Sequence, residues 1–164
     1  MKLARVGIVA AAVLAMSSVA FAQKPDFSGT WTPDAAAAPA APAGTGGGQR
    51  MGGGPTPMTV KQDATTLTVE TTRGETKMTT VYKLDGTESV NKMTMGRGEN
   101  AREVESKSTA KWDGTKLVIS TTRPGQDGAP QTTTQTWSLE GGNLTIERPG
   151  RDGAVQKTVY KKTT

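Results

Sequence analysis

The sequence predicts an all-β protein, an antiparallel up-and-down meander of about ten strands closed into a single barrel. From Met58 to the end of the chain, Thr, Val and Leu alternate with polar residues, which is the period of a half-buried strand. Turn dipeptides interrupt this alternation regularly, because Gly86, Gly114 and Gly142 lie 28 residues apart. A meander of this length has exposed edges unless it closes, which favours a barrel over an open sheet.

Residues 1–22 have the features of a secretory signal peptide. Lys2 and Arg5 precede an apolar run that is too short to span a bilayer, and residues 20–22 (AFA) match an A-x-A cleavage site. We therefore expect a periplasmic or secreted protein without a transmembrane segment after cleavage, with a retained anchor as the alternative. The chain has no cysteine, so it has neither disulfides nor the thiol that lipid attachment requires.

A long insertion is predicted between the first strand and the rest of the barrel. The first strand is expected at 26–32, within a barrel segment that covers 23–32. Residues 33–57 are almost wholly Ala, Pro and Gly. Such a segment buries too little to offset the entropy of ordering it, so we expect a disordered linker or loose lid. Residues 58–164 supply the remaining strands of the same domain.

Nine further strands follow from the alternation, and every connection between them is predicted to be a hairpin. Asp-Gly pairs favour tight turns, and Pro-Gly pairs fit wider ones. The two kinds of turn alternate along the meander, so one end of the barrel is a tight rim and the other a wide rim. The predicted strands are 58–62, 66–72, 76–84, 87–95, 102–112, 116–122, 131–139, 143–148 and 154–162.

One basic segment occurs twice on the wide rim. The chain reads "RPGQDGAPQ" from Arg123 and "RPGRDGAVQ" from Arg148. A phosphate-binding glycine loop would lead into a helix N-terminus, whereas no 3.6-residue period follows either copy. The repeat therefore indicates the same turn made twice, with a phosphate loop as the alternative.

The segment "DFSGTW" carries a family resemblance. Gly29-Thr30-Trp31 resembles the G-x-W motif of the calycin superfamily, the lipocalins and fatty-acid-binding proteins, in which the Trp packs across the closed base of the barrel. Ten strands with an insertion after the first are similar to the fatty-acid-binding branch, and the exported chain resembles small secreted bacterial proteins. That branch carries an Arg-x-Tyr pair on the last strand. Here Thr158-Val159-Tyr160 stands in its place, so the Arg of that carboxylate clamp is missing.

Strand periodicity predicts what the barrel encloses, because alternate residues share a face. The aromatic-bearing faces are taken as inward, which places an apolar plug toward the tight rim. The predicted base and core residues are Phe27, Trp31, Tyr82, Trp112, Trp137 and Tyr160. The same faces become polar toward the wide rim and form a hydroxyl-lined cup. The predicted cup residues are Thr71, Thr80, Ser106, Ser108, Thr121, Thr133, Gln135 and Thr158.

Arginines are concentrated at the wide rim, and Arg pairs well with carboxylate or phosphate through its planar fork. Glutamate and aspartate residues on the same rim nearly cancel this charge, so solvated turn charge is the alternative to an anion site. A barrel closed on short side chains, without a cup, is a second alternative. The candidate arginines are Arg73, Arg97, Arg102, Arg123, Arg148 and Arg151.

The predicted function is non-enzymatic binding of a small amphipathic or anionic molecule. The chain has no His and no Cys, so the usual general base, zinc ligand and thiol nucleophile are absent. We expect no catalytic residues, metal or cofactor. The net charge of +5 is too small and too mixed to indicate nucleic acid. The alternative is a structural or protein-interaction module of the cell envelope, with a partner that the sequence does not identify.

Overall fold

The computed structural model describes residues 24–37, 55–73, 76–95, 102–125, 128–150 and 153–163. The predicted signal peptide, 1–22, and most of the predicted linker, 38–54, lie outside the described residues. Among the described residues there is no helix with the length and apolar character to cross a lipid bilayer. The one helical element among them is a 3-10 turn, Ala35–Ala37.

Ten antiparallel strands form one sheet, which confirms the predicted all-β meander. Strand lengths follow the alternation of apolar and polar residues, with the turns at the predicted glycines. The strands are β1 Gly29–Pro33, β2 Met58–Gln62, β3 Thr66–Arg73, β4 Thr76–Lys83, β5 Ser89–Met95, β6 Arg102–Asp113, β7 Lys116–Pro124, β8 Pro130–Glu140, β9 Asn143–Pro149 and β10 Val155–Thr163.

The first strand converts the meander into a nearly closed barrel. β1 pairs with β2 on one side and with β10 on the other, so the sheet runs β4-β3-β2-β1-β10-β9-β8-β7-β6-β5. Trp31 lies opposite Lys162 and Pro33 opposite Tyr160 in the β1–β10 ladder. The inward side chains near the tight rim are buried and apolar, as an enclosed core requires.

The segment before β1 closes the tight end of the barrel. Strand β1 begins at Gly29, later than the predicted 26, because the preceding residues turn Phe27 into the core. Phe27 is fully buried. Its ring stacks on Trp112 with 5.9 Å between ring centroids and meets Trp137 edge-on at 5.8 Å. The indole Nε1 of Trp31 donates to the Phe27 carbonyl oxygen at 2.8 Å. The segment therefore acts as a plug.

Gln62 at the end of β2 fixes this plug to the barrel wall. Its side-chain oxygen accepts a hydrogen bond from the Phe27 N–H at 3.0 Å. Its Nε2 donates to the carbonyl oxygen of Pro25 at 3.0 Å. Gly29 then turns the chain into β1 with a φ of 142°, a conformation that residues with a Cβ rarely adopt. This requirement explains the glycine of the G-x-W motif.

The repeated "RPG" segments fold into the same turn. In the first copy the Gly125 N–H donates to the Ala129 carbonyl at 2.7 Å, and the Gly128 N–H donates to the Gly125 carbonyl at 3.2 Å. The second copy repeats both bonds, as Gly150 to Ala154 at 2.6 Å and Gly153 to Gly150 at 3.1 Å. Gly128 and Gly153 both have a φ of 80°. Each segment connects two antiparallel strands, so the turn interpretation is confirmed.

The connection from β4 to β5 differs from the prediction of a hairpin. These strands are the two ends of the sheet and do not form a ladder. Side chains of β5 bridge them instead. Asn91 accepts from the Val81 N–H at 2.8 Å and donates to the Val81 carbonyl oxygen at 2.9 Å, and the Ser89 hydroxyl accepts from the Lys83 N–H at 2.8 Å. We call this side-chain junction of β4 and β5 the seam.

Replacement of Trp31 by Ala is expected to destabilise the protein by about 3–5 kcal/mol, because it leaves a cavity in the closed base. The melting temperature, measured by circular dichroism, should fall by well over ten degrees on the order-of-magnitude scale for a domain of this size. Thr30→Ala, an exposed position on the same strand, is the control. An unchanged melting temperature for Trp31→Ala would show that the indole does not hold the base together.

Asn91→Ala should open the seam locally. The Val81 amide loses its acceptor, and its hydrogen exchange in the native state should accelerate by roughly tenfold or more. The Lys83 amide, which is bonded to Ser89, should change less. Val90→Ala, at an exposed outward position of the same strand, is the matched control. Unaltered exchange at Val81 would contradict a bridging role for Asn91.

Candidate functional site

The barrel contains a cavity of about 210 Å³ on the wide-rim side of the aromatic core. We call this cavity the cup. Its walls come from five strands, β4, β5, β7, β8 and β9. The lining residues are Tyr82, Met93, Thr121, Arg123, Thr133, Gln135 and Arg148.

Two neighbouring strands supply most of the wall. On β7 the inward positions proceed from buried Ile119 through Thr121 to Arg123, so the side chains become polar as the strand approaches the wide rim. On β8 the facing positions are Gln135, opposite Ile119, and Thr133, opposite Thr121. The hydroxyls and the amide therefore lie at the level where the apolar core ends.

Arg148 reaches the cup from β9. It follows buried Leu144 and Ile146 on the inward face of that strand. Its Nε donates to the Gln135 Oε1 across the ladder at 3.3 Å. This hydrogen bond orients the guanidinium group and leaves the terminal Nη groups to contact other molecules.

Burial dominates the pKa values of the two tyrosines, and Arg148 opposes its effect. Burial raises the pKa of Tyr82, and the positive charge of Arg148 and the amide of Gln135 oppose that rise. Burial likewise raises the pKa of Tyr160, again opposed by Arg148. Both phenol groups therefore remain neutral at physiological pH.

In the described part of the barrel, the ion-paired lysines and carboxylates lie on the outer surface, whereas two arginines line the cup. Every ion pair there uses a lysine, and the pairs lie on the outer surface. They are Lys61–Glu70, Lys77–Glu70, Lys92–Glu103, Lys107–Glu88, Lys157–Glu140 and Lys161–Asp34. Glu103 and Glu147 have the outward register, whereas the other carboxylates expected at the wide rim, Glu75, Glu99, Asp127 and Asp152, lie outside the described residues. Among the described inward positions toward the wide rim there is no carboxylate.

The structure brings together five of the twelve predicted ligand-binding residues, Thr121, Arg123, Thr133, Gln135 and Arg148. Ser106 and Ser108 are buried and bonded within the wall, to the Asn91 carbonyl at 3.2 Å and the Thr121 hydroxyl at 2.8 Å. Thr158 is half-buried on β10, and Arg102 is exposed at the start of β6; neither lines the cup. Arg97, Arg151 and the side chain of Arg73 lie outside the described part.

The predicted base and core residues occupy the barrel interior. Phe27, Trp31, Tyr82, Trp137 and Tyr160 are buried, and Trp112 is half-buried against that cluster. Tyr82 also lines the cup, a role that its prediction as a core residue did not include.

Met93 is a cup residue that sequence reasoning missed. It also lines a second cleft of about 130 Å³ beside the seam, so this one side chain borders both spaces. The alternation of Ser89, Asn91 and Met93 on β5 would have placed it inward. The cleft residues are Thr76, Lys77, Met78, Thr79, Lys92, Met93 and Thr94.

Arg148→Gln is expected to raise the pKa of Tyr82 and of Tyr160 further, because the nearby positive charge favours the phenolate. The chain has only these two tyrosines, so a titration of tyrosinate absorbance reports on them alone. Arg102→Gln, which removes the same charge from an exposed site outside the cup, is the control. An unshifted titration of Arg148→Gln, with the fold intact by circular dichroism, would place the guanidinium away from the phenols.

Comparisons with known proteins identify the fold. No protein-family model and no curated protein sequence matches this chain. Among solved structures, the REP1-NXSQ fatty acid transporter aligns with a TM-score of 0.52 and 14% identity, over 84% of this chain and 96% of that one. A point mutant of the fluorescent protein UnaG gives a TM-score of 0.52 at 23% identity, over 84% of this chain and 96% of that one.

Secretory abundant heat soluble protein 4 from Ramazzottius varieornatus aligns with a TM-score of 0.50 and 22% identity, over 84% of this chain and 94% of that one. These likenesses extend over nearly the full length of each compared structure. The chain therefore shares the fold of these structures, a nearly closed barrel of ten antiparallel strands.

Proposed function

We propose that the protein is a non-enzymatic binding protein that holds a small amphipathic anion in the cup. One observation carries this proposal. The charged residues that line the cup are Arg123 and Arg148, and in the described part of the chain neither has an acidic partner. Solvent-exposed guanidinium groups that line a cavity and have no acidic partner among the described residues favour an anionic occupant.

The side chains around these arginines support recognition of a planar or tetrahedral acid group. Gln135 holds Arg148 by its Nε, so the forked Nη groups are oriented before a ligand arrives. Ordering the donor in advance lowers the entropic cost of binding. Such a fork forms two parallel hydrogen bonds with one carboxylate or phosphate.

The size and walls of the cup limit the ligand. At about 30 Å³ for each water of the liquid, the cavity corresponds to roughly seven waters. Met93 and the threonine methyl groups offer apolar contact next to the polar groups. The REP1-NXSQ neighbour is a fatty acid transporter, and fatty acids are amphipathic anions. We expect a smaller molecule here, with an acid group and a short body.

The lining of the cup favours binding over catalysis. The chain has no histidine, and the described inward positions near the wide rim carry no carboxylate. The cup therefore lacks a described group that exchanges protons near neutral pH. We place this activity in the periplasm or outside the cell, on the basis of the signal-peptide features of residues 1–22.

Benzoate and its neutral isostere benzamide test the proposal. Benzoate should bind the purified protein, and benzamide should bind more weakly because it lacks the charge. Combined replacement of Arg123 and Arg148 by Gln should weaken benzoate binding by roughly tenfold or more. Saturation-transfer NMR with a concentration series measures each affinity.

Arg102→Gln is the matched control, because it removes one positive charge of the same kind without altering the cup. Equal loss of benzoate binding in this variant would assign the effect to overall charge rather than to a site. Equal binding of benzoate and benzamide would contradict an anion site. Retained folding of each variant is checked by circular dichroism.

A further inference from the structure

The cup holds two positive charges in one small space. Arg123 on β7 and Arg148 on β9 both line the cavity of about 210 Å³. Both side chains are exposed to solvent, and they flank β8 four residues apart, because Arg123 pairs with Gln131 and Arg148 bonds Gln135. A monoanion would neutralise only half of this charge. The described inward positions near the wide rim supply no carboxylate that would neutralise the rest.

We propose, resting on the proposed function, that the group held between Arg123 and Arg148 is a dianion of the phosphate-monoester class. Such a group has three terminal oxygens and carries nearly two negative charges at neutral pH. Two arginines can contact different oxygens of one phosphate, whereas a single carboxylate has only two oxygens to share.

The hydroxyls of the cup add donors for the remaining oxygens. Thr133 lines the cavity, and its hydroxyl has no partner among the described residues. Thr121 faces it across the β7–β8 ladder and shares a hydrogen bond with Ser108 at 2.8 Å. A phosphate accepts several hydrogen bonds at once, so this combination of two guanidinium groups and nearby hydroxyls suits it.

This site is distinct from the carboxylate clamp that the fatty-acid-binding resemblance implies. That clamp requires an Arg on the last strand, and β10 carries Thr158 in its place. The two arginines of the cup lie instead on β7 and β9. The chemistry of the ligand therefore has to be inferred from these two strands.

A comparison of two esters tests the charge of the ligand directly. Phenyl phosphate is a dianion at pH 7.5, and methyl phenyl phosphate is a monoanion with nearly the same shape. We expect phenyl phosphate to bind at least about tenfold more tightly to the wild-type protein by calorimetry, because it gains a second charged contact. This comparison requires no variant.

The pH dependence provides a second readout. The second pKa of a phosphate monoester is about 6, so its preference over the methyl ester should fall roughly tenfold between pH 7.5 and pH 5. The described groups that face the cup are arginines, hydroxyls, an amide, a thioether and the neutral Tyr82. Burial raises the pKa of Tyr82, so this phenol stays neutral across the interval, and we expect the change to report on the ligand.

Variants then locate the site. Arg123→Gln and Arg148→Gln should each remove most of the preference for the dianion, while Arg102→Gln should keep it.

Glycerol 3-phosphate in solution and vesicles of dioleoyl phosphatidate in phosphatidylcholine present the same group from two sources. Binding of either supports the proposal and identifies the source.

The outcomes separate this proposal from the one on which it rests. Equal affinity for phenyl phosphate and methyl phenyl phosphate at pH 7.5 would overturn the dianion while benzoate binding left the anion-binding function intact. Failure of every anion, benzoate included, would overturn both. An equal loss of the dianion preference in Arg102→Gln would also overturn the assignment to Arg123 and Arg148.

Discussion

The pairing of β1 with β10 is the constraint on which the rest of the structure depends. These strands lie at opposite ends of the described chain, and their ladder joins Thr30 to Thr163. Without it the sheet would divide into two, with unpaired backbone along β1 and β10 in place of a continuous wall. The same short strand carries Trp31, and the residues before it carry Phe27. The same segment of the chain therefore both closes the barrel and fills its base.

A second organising principle is the separation of lysine from arginine. The lysines of the described ion pairs lie on the outer faces of the strands beside glutamate or aspartate, where exposed pairs contribute little to stability. Arg123 and Arg148 face inward, where no such partner is described. In the described part of the barrel, lysine forms the surface ion pairs, and Arg123 and Arg148, both exposed to solvent, line the cup.

The strand content and the turns could be predicted because they depend on local rules. Alternation indicates which residues point inward, and Asp-Gly and Pro-Gly mark the turns. The break between β4 and β5 could not be predicted, because "KLDGTE" resembles the turns that do form hairpins. Whether two strands pair or are bridged by Asn91 depends on barrel geometry. That Arg123 and Arg148 line the same cavity likewise depends on curvature, which a linear pattern does not encode.

The seam gives this barrel a property that a fully laddered cylinder lacks. Nine backbone ladders join the ten strands, and the tenth junction consists of side-chain hydrogen bonds from Ser89 and Asn91. The backbone hydrogen bonding of the wall is therefore continuous except at the junction of β4 and β5. Parting β4 from β5 would break the hydrogen bonds of Ser89 and Asn91 and would leave all nine backbone ladders in place.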